Sequence, residues 1–252
     1  MLITLLTDFG TRDHYVASVK AGILLVAPGA TLVDITHDVP AHDVLEGAWT
    51  LGNAFPDFPA GTVHLAVVDP GVGTSRRGMA LAAGGQLLVG PDNGLFSYVL
   101  DRHPASAMVE LPIAEGDAVS PVFHGRDLFA PAAARLATGA DIRSLGPPLH
   151  DPVLLTVPRP STAAGGVVRA HVAHIDRFGN VVLYATPADL PVPVRARAGA
   201  RVVSLFVRTY GDAPPGEPAI LINSSGFLEI GANGARAADL LGLQRGDVVD
   251  LT

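Results

Sequence analysis

The strongest constraint in this sequence is a rhythm. From residue 2 to residue 138, short apolar runs end in glycine-bearing polar turns, and stretches with helical spacing separate them. The run 2–7 stops at Asp8-Phe9-Gly10, and residues 13–27 place Val16, Val19, Ile23 and Leu24 on one helical face before Pro28-Gly29. A strand follows over 31–36, a helix over 43–55 closed by Pro56, and a strand over 62–68 that runs into Asp69-Pro70-Gly71. Residues 79–83 and 86–89, split by Gly84-Gly85, read as a hairpin, and 93–101 and 127–138 suit helices. Strands alternating with helices imply a largely parallel sheet with helices on both faces.

The rhythm breaks near residue 150. Five prolines between Pro147 and Pro160 lead into Ser161-Thr162-Ala163-Ala164-Gly165-Gly166, which is linker chemistry. Strand follows strand beyond it, over 166–175, 180–184, 200–207, 219–222, 227–230 and 248–251, with one helical stretch at 235–241. The expected fold is therefore an α/β domain over 1–150 with a mostly parallel, helix-flanked sheet, a linker over 151–164, and a smaller all-β, barrel-like domain over 165–252.

Composition removes whole classes of chemistry. The chain has no cysteine, so thiolate metal sites, iron–sulfur clusters and cysteine nucleophiles are excluded. Lys20 is its one lysine and does not sit in a phosphate-binding loop, and GxSxG is absent. The net charge of −7, without basic runs, argues against a nucleic-acid partner. No apolar run reaches the ~18–20 residues of a membrane span, and the N-terminus lacks a signal's positive region. A soluble, cytoplasmic protein without a membrane partner is expected.

In a sheet of this kind, ligands bind beyond the carboxyl ends of the strands. Those ends carry Asp8-Phe9-Gly10, Asp69-Pro70-Gly71-Val72-Gly73-Thr74-Ser75-Arg76-Arg77, and Gly90-Pro91-Asp92-Asn93-Gly94; Phe123-His124-Gly125-Arg126-Asp127 opens the last helix. Singly, each has a structural reading: Asp8 braces a turn, Arg76 and Arg77 are solvated charges, and Asp127 is a helix cap. Together, four such turns in one domain point to a shared site. The pairs His37-Asp38 and His42-Asp43 lack the spacing of a zinc motif, and capping by Asp43 is the preferred reading. In the second half, Asp176-Arg177-Phe178-Gly179-Asn180 and the stretch from Asn223 to Glu229 read as turns between strands.

These blocks, in this order and along the whole chain, resemble the S-adenosyl-L-methionine (SAM) hydroxide adenosyltransferases, hydrolytic relatives of the fluorinase and chlorinase. The resemblance implies attack of water on C5′ of the SAM ribose, giving adenosine and L-methionine. It places the catalytic set on Asp69, Arg76 and His124, with no metal or organic cofactor. It implies a homotrimer whose sites lie between one subunit's N-terminal domain and the next subunit's C-terminal domain. For substrate contacts it points to Asp8 at the ribose hydroxyls, and to Asn180 and Phe178 at the adenine. Asp176 and Ser224 fall at the methionine end, and Glu229 and Ala232 at the adenine edge. Gly125 stands where the halogenating relatives carry a halide-binding serine, and Asp69 where they carry a tyrosine. A carboxylate in a dry pocket repels a halide, so hydroxide is the expected nucleophile. Two other readings stand beside it, an adenosyl halide synthase and a non-catalytic SAM- or adenosine-binding protein.

Overall fold

The computed structural model describes residues 1–113 and 119–252, which divide into two compact units, Met1–Val157 and Pro158–Thr252. In the first unit, strands β1 (Leu2–Thr7), β2 (Thr31–Thr36), β3 (Val63–Val67), β4 (Gly78–Ala83), β5 (Gln86–Pro91) and β6 (Ala105–Leu111) form one sheet in the order β2-β1-β3-β5-β4-β6. Strands β2, β1, β3 and β5 pair in parallel, while β4 runs against both of its neighbours. The sheet is thus mostly parallel, as the alternation predicts. The Gly84-Gly85 hairpin turn holds both glycines at positive φ, +56° and +78°, which matches the twist of the strands it joins.

Side chains alternate across the sheet. Ile3, Leu5, Val63, Leu65 and Val67 share a core with α1 (Tyr15–Val26) and α4 (Ala130–Ala137). On the opposite face lies α2 (Val44–Ala54), whose Gly47 approaches Leu6 and Val68. Gly52 of α2 sits so close to α3 (Ser97–Arg102) that an added Cβ would lie 2.5 Å from the Tyr98 Cβ. Asp43 caps α2, its side chain accepting from the Glu46 amide at 3.0 Å, as expected. Every residue of β3 is buried, as suits a strand covered on both faces.

One polar row crosses this core. His64 on β3 is fully buried and bonds Thr4 Oγ1 through Nδ1 and Gln86 Oε1 through Nε2, each at 2.7 Å. Gln86 in turn donates to the Phe55 carbonyl, so Nε2 carries the proton, and burial holds the ring's pKa below its usual value.

Two findings depart from expectation in this unit. Strand β6 did not register as a strand in the apolar pattern. Asp127 does not cap the last helix: its carboxylate accepts from the Ser120 amide and pairs with Arg126. A wide π-turn, Gly125–Phe129, leads into α4 instead. Of the stretch read as linker, Asp151, Val153 and Leu155 are hydrogen-bonded within the first unit, to Arg77, Asp92 and Ser97.

The second unit is an antiparallel sheet in the order β11-β10-β14-β8-β9-β13-β12, with β7 beside β8. Its strands are β7 (Ser161–Thr162), β8 (Val168–Ile175), β9 (Val181–Leu183), β10 (Ala196–Ala198), β11 (Arg201–Val203), β12 (Pro218–Ile222), β13 (Leu228–Ala232) and β14 (Val248–Leu251). The chain just past β11 bridges β12, with Ile220 bonded to Leu205 and Val207, so the sheet nearly closes on itself. The helix α5 (Ala237–Leu241) ends at Gly242, whose φ of +66° is the left-handed cap glycine tolerates.

Candidate active site

Parallel pairing sends the carboxyl ends of β1, β3 and β5 to the same edge of the sheet. Asp8 and Asp69 leave from adjacent strands there. Asp8 is half-buried, and its Oδ2 accepts from the His42 amide at 2.9 Å, which ties the β1 turn to the loop before α2. His42 holds a φ of +68°, unusual for a side chain with a Cβ.

Asp69, Arg76 and His124 form one hydrogen-bonded cluster. The seven-residue turn folds Arg76 back, so that its Nε donates to Asp69 Oδ1 at 3.0 Å and its Nη2 to Asp69 Oδ2. The same Nη2 lies 3.0 Å from His124 Nδ1. The two side chains of the ion pair are only 7% and 5% exposed, and His124 is 3% exposed. Arg76 was open to a reading as a solvated charge; it is a buried one, with its guanidinium 5.3 Å above the Phe129 ring. Its Nη1 is buried with no hydrogen-bond partner among the described residues.

This arrangement sets the protonation of His124. Burial lowers its pKa below the ordinary histidine value, and the Arg76 charge lowers it further. Arg76 is a donor only, so Nδ1 must accept, and the neutral ring carries its proton on Nε2. Asp69 is a fixed acceptor, Arg76 the group that fixes it, and His124 Nε2–H a donor. Beside them Phe9, Tyr15 and Phe123 pack edge-to-face, with centroids 5.4–6.2 Å apart.

The second unit carries a pocket of about 530 Å³ lined by Asp176, Phe178, Asn180, Tyr210, Ala232 and Arg236, among others. Four of these are sequence-predicted site residues. The Asp176 carboxylate accepts from the Phe178 and Asn180 amides and from Asn180 Nδ2, at 2.8–2.9 Å, so it shapes the turn. That turn leaves Phe178 73% exposed. Glu229 is buried behind the pocket, its two oxygens taken by the Tyr210 hydroxyl at 2.6 Å and Asn223 Nδ2 at 3.1 Å. Burial and the Glu229 bond raise the Tyr210 pKa well above that of a free phenol, so the hydroxyl stays a donor. Ser224 lies exposed in the turn between β12 and β13, and is not among the residues lining this pocket. Tyr210 and Arg236 escaped the sequence reading; a lone tyrosine and a lone arginine carry no spacing signal.

The comparisons with known proteins agree across the whole chain. Residues 3–146 match the model of the SAM hydroxide adenosyltransferase N-terminal domain, and residues 170–250 that of the C-terminal domain. An (R)-S-adenosyl-L-methionine hydrolase of Salinispora tropica is 45% identical over 99% of this chain and 97% of its own. A fluorinase of Actinoplanes sp. is more distant, at 30% identity over 100% of this chain and 97% of its own. A solved structure of an uncharacterized conserved protein from Thermotoga maritima superposes with a TM-score of 0.92 at 34% identity, covering 100% of this chain and 99% of that one. Matched in both units and end to end, the chain belongs to the SAM hydroxide adenosyltransferase family.

Proposed function

We propose that the protein hydrolyses SAM to adenosine and L-methionine, with water attacking ribose C5′ and the C5′–S bond breaking. The observation that carries the reading is the buried Asp69–Arg76–His124 cluster. A sulfonium leaves as a neutral thioether, so the leaving side needs no proton. The difficulty lies in a weak nucleophile approaching in line. Asp69 orients the water and takes its proton as the C5′–O bond forms, then releases it to solvent. Arg76 holds both carboxylate oxygens, so the acceptor cannot rotate away. His124 Nε2–H donates to the water oxygen and steadies its second lone pair. Holding the water this way supplies several kcal/mol of the barrier by positioning alone.

Asp8 is assigned to the ribose diol, where a carboxylate accepts from both hydroxyls. Phe178 provides the adenine's stacking surface, and Asn180 and the backbone near Ala232 its polar edge, with Glu229 behind them holding the Tyr210 hydroxyl. Asp176 and Ser224 take the methionine end. The expected homotrimer, with one subunit's first unit completing the site of a neighbour's second, belongs to the same proposal, and light scattering tests it. The cytoplasm is the proposed compartment.

Incubation with SAM in oxygen-18 water tests the reaction. Adenosine labelled at the 5′-hydroxyl, with unlabelled methionine, is expected. Methylthioadenosine with labelled homoserine, or adenosine bound without turnover, would refute it, and a 5′-halogenated product in halide buffer would favour an adenosyl halide synthase.

A further inference from the structure

The turn 69–77 that bears the cluster has few bonds of its own. Val72 and Thr74 amides close local turns onto Asp69 and Gly71, and Arg76 N reaches Thr74 Oγ1 at 3.3 Å. Its two ends are held from outside, by a single neighbouring turn. At the entry, Asn93 Nδ2 donates to the Val68 carbonyl at 2.8 Å, one residue before Asp69. At the exit, one residue after Arg76, Arg77 is gripped by Asp92. Arg77 Nε and Nη2 donate to Asp92 Oδ2 at 3.0 and 2.7 Å, and the Asp92 amide donates to the Arg77 carbonyl at 2.9 Å.

The grip is a built one. The Asp92 side chain is 0% exposed, and its second oxygen accepts from the Val153 amide at 2.7 Å. Arg77 is filled as well, with Nη1 on Asp151 Oδ1 at 2.9 Å and Nη2 on the Asp151 carbonyl at 2.8 Å. A buried carboxylate far from any solvent role is costly to keep, and a hydrophobic pair of the same volume would serve stability as well. What a hydrophobic pair would not supply is direction. Arg76 and Arg77 are consecutive, and each is bound to its own aspartate. Fixing Arg77 therefore fixes the backbone from which Arg76 reaches Asp69.

We propose that Asp92 and Arg77 are positioning residues for the reaction, holding the Asp69–Arg76 pair in the orientation that aims water at C5′. The inference rests on the reading of Asp69 and Arg76 given above. It deepens that reading, because it names what sets the direction of the proposed base.

Asp92→Asn tests it. The amide keeps an acceptor for only one of Arg77 and the Val153 amide and turns an N–H on the other, so the hold on the exit of the turn loosens without a change in volume. Because Asp69 acts on water and not on SAM binding, kcat falls roughly 10- to 100-fold while KM for SAM stays within about twofold. A merely structural role would lower the thermal midpoint and the folded fraction, and leave kcat per folded molecule unchanged; that result overturns the proposal. Arg77→Met and Arg77→Lys provide the second measurement should Asp92→Asn fail to fold. Arg77→Lys keeps the charge without the fork, so its kcat lies between those of Arg77→Met and the unchanged enzyme. Equal kcat in all three overturns the proposal. Asp69→Ala is measured alongside: if it is inactive while the Asp92 and Arg77 variants are fully active, this inference alone fails. A fully active Asp69→Ala overturns the underlying reading, and this inference with it.

Discussion

Replacing Asp69 by asparagine keeps its shape and removes its charge, and the geometry sets the size of both consequences. In the native site, Arg76 gives one N–H to each carboxylate oxygen. The amide can answer only one of them and must point its own N–H groups at the other. One charge-assisted bond is lost, about 1.5–3 kcal/mol. Arg76, 7% exposed, is left as a buried charge without its counter-ion. Breaking such a pair costs about 3–5 kcal/mol in total. At about 2–4 °C per kcal/mol for a domain of this size, the thermal midpoint drops by about 6–20 °C. Turnover loses the proposed general base, a factor of about 10² to 10⁴, or about 3–5 kcal/mol of barrier. The double variant Asp69→Asn/Arg76→Met separates the two effects: with neither charge buried, much of the stability returns, while turnover does not. Adenosine release by chromatography, SAM affinity by calorimetry and thermal unfolding measure all three quantities. Turnover in Asp69→Asn within about threefold of the unchanged protein, at unchanged affinity, refutes the assignment of the base.

Acidification provides a second check. His64 and His124 are both held below the ordinary histidine pKa, each by burial first. The unfolded chain takes up these protons near pH ~6.5 and the folded chain resists them, so stability is full above that pH and falls as pH drops through it. Urea midpoints that stay level from neutral pH to about pH 5 would contradict this. Phe178→Ala removes an exposed ring, so KM for SAM rises roughly tenfold at an unchanged thermal midpoint, in line with the loss of one base-stacking surface; an unchanged KM removes the ring from the site. Gly52→Ala forces a Cβ onto Tyr98 and costs about 1–3 kcal/mol by urea unfolding, with kcat per folded molecule unaltered; full stability would mean that α2 and α3 part without cost.

Much of the first unit was legible because its strands end in turns with fixed chemistry. Asp69 and Arg76 stand seven residues apart across a glycine-rich turn at a strand end, where a ligand belongs, and the resemblance to the SAM hydroxide adenosyltransferases paired them. Strand β6 was missed because it is the sheet's edge: most of its residues are half-buried and only Val109 and Leu111 are buried, so ASAMVEL has no clear period. Strand β10 is three residues long, set close after a proline-rich stretch, and carries Arg197 on its outer face. Arg77 read as a surface charge because its partners lie 15 and 74 residues away in sequence. Tyr210 was invisible for the same reason, since its bond to Glu229 spans 19 residues and follows no period. What a sequence shows is local spacing and end chemistry; partners recruited by the fold across long loops leave no such mark.

The row of Thr4, His64 and Gln86 has a meaning beyond the satisfaction of buried polar groups. Apart from Thr4, Thr7 and His64, strands β1 and β3 are apolar and almost wholly buried, so hydrophobic burial alone would let them slide past one another with little change. The buried imidazole forbids it, because a slip would strand a donor and an acceptor in the core. Thr4 lies opposite His64 and Thr7 opposite Val67, and the chain then runs on to Asp8 and Asp69. The imidazole thus works as a vernier between two rails. It sets how far one carboxylate stands ahead of the other at the strand ends, several residues before either of them.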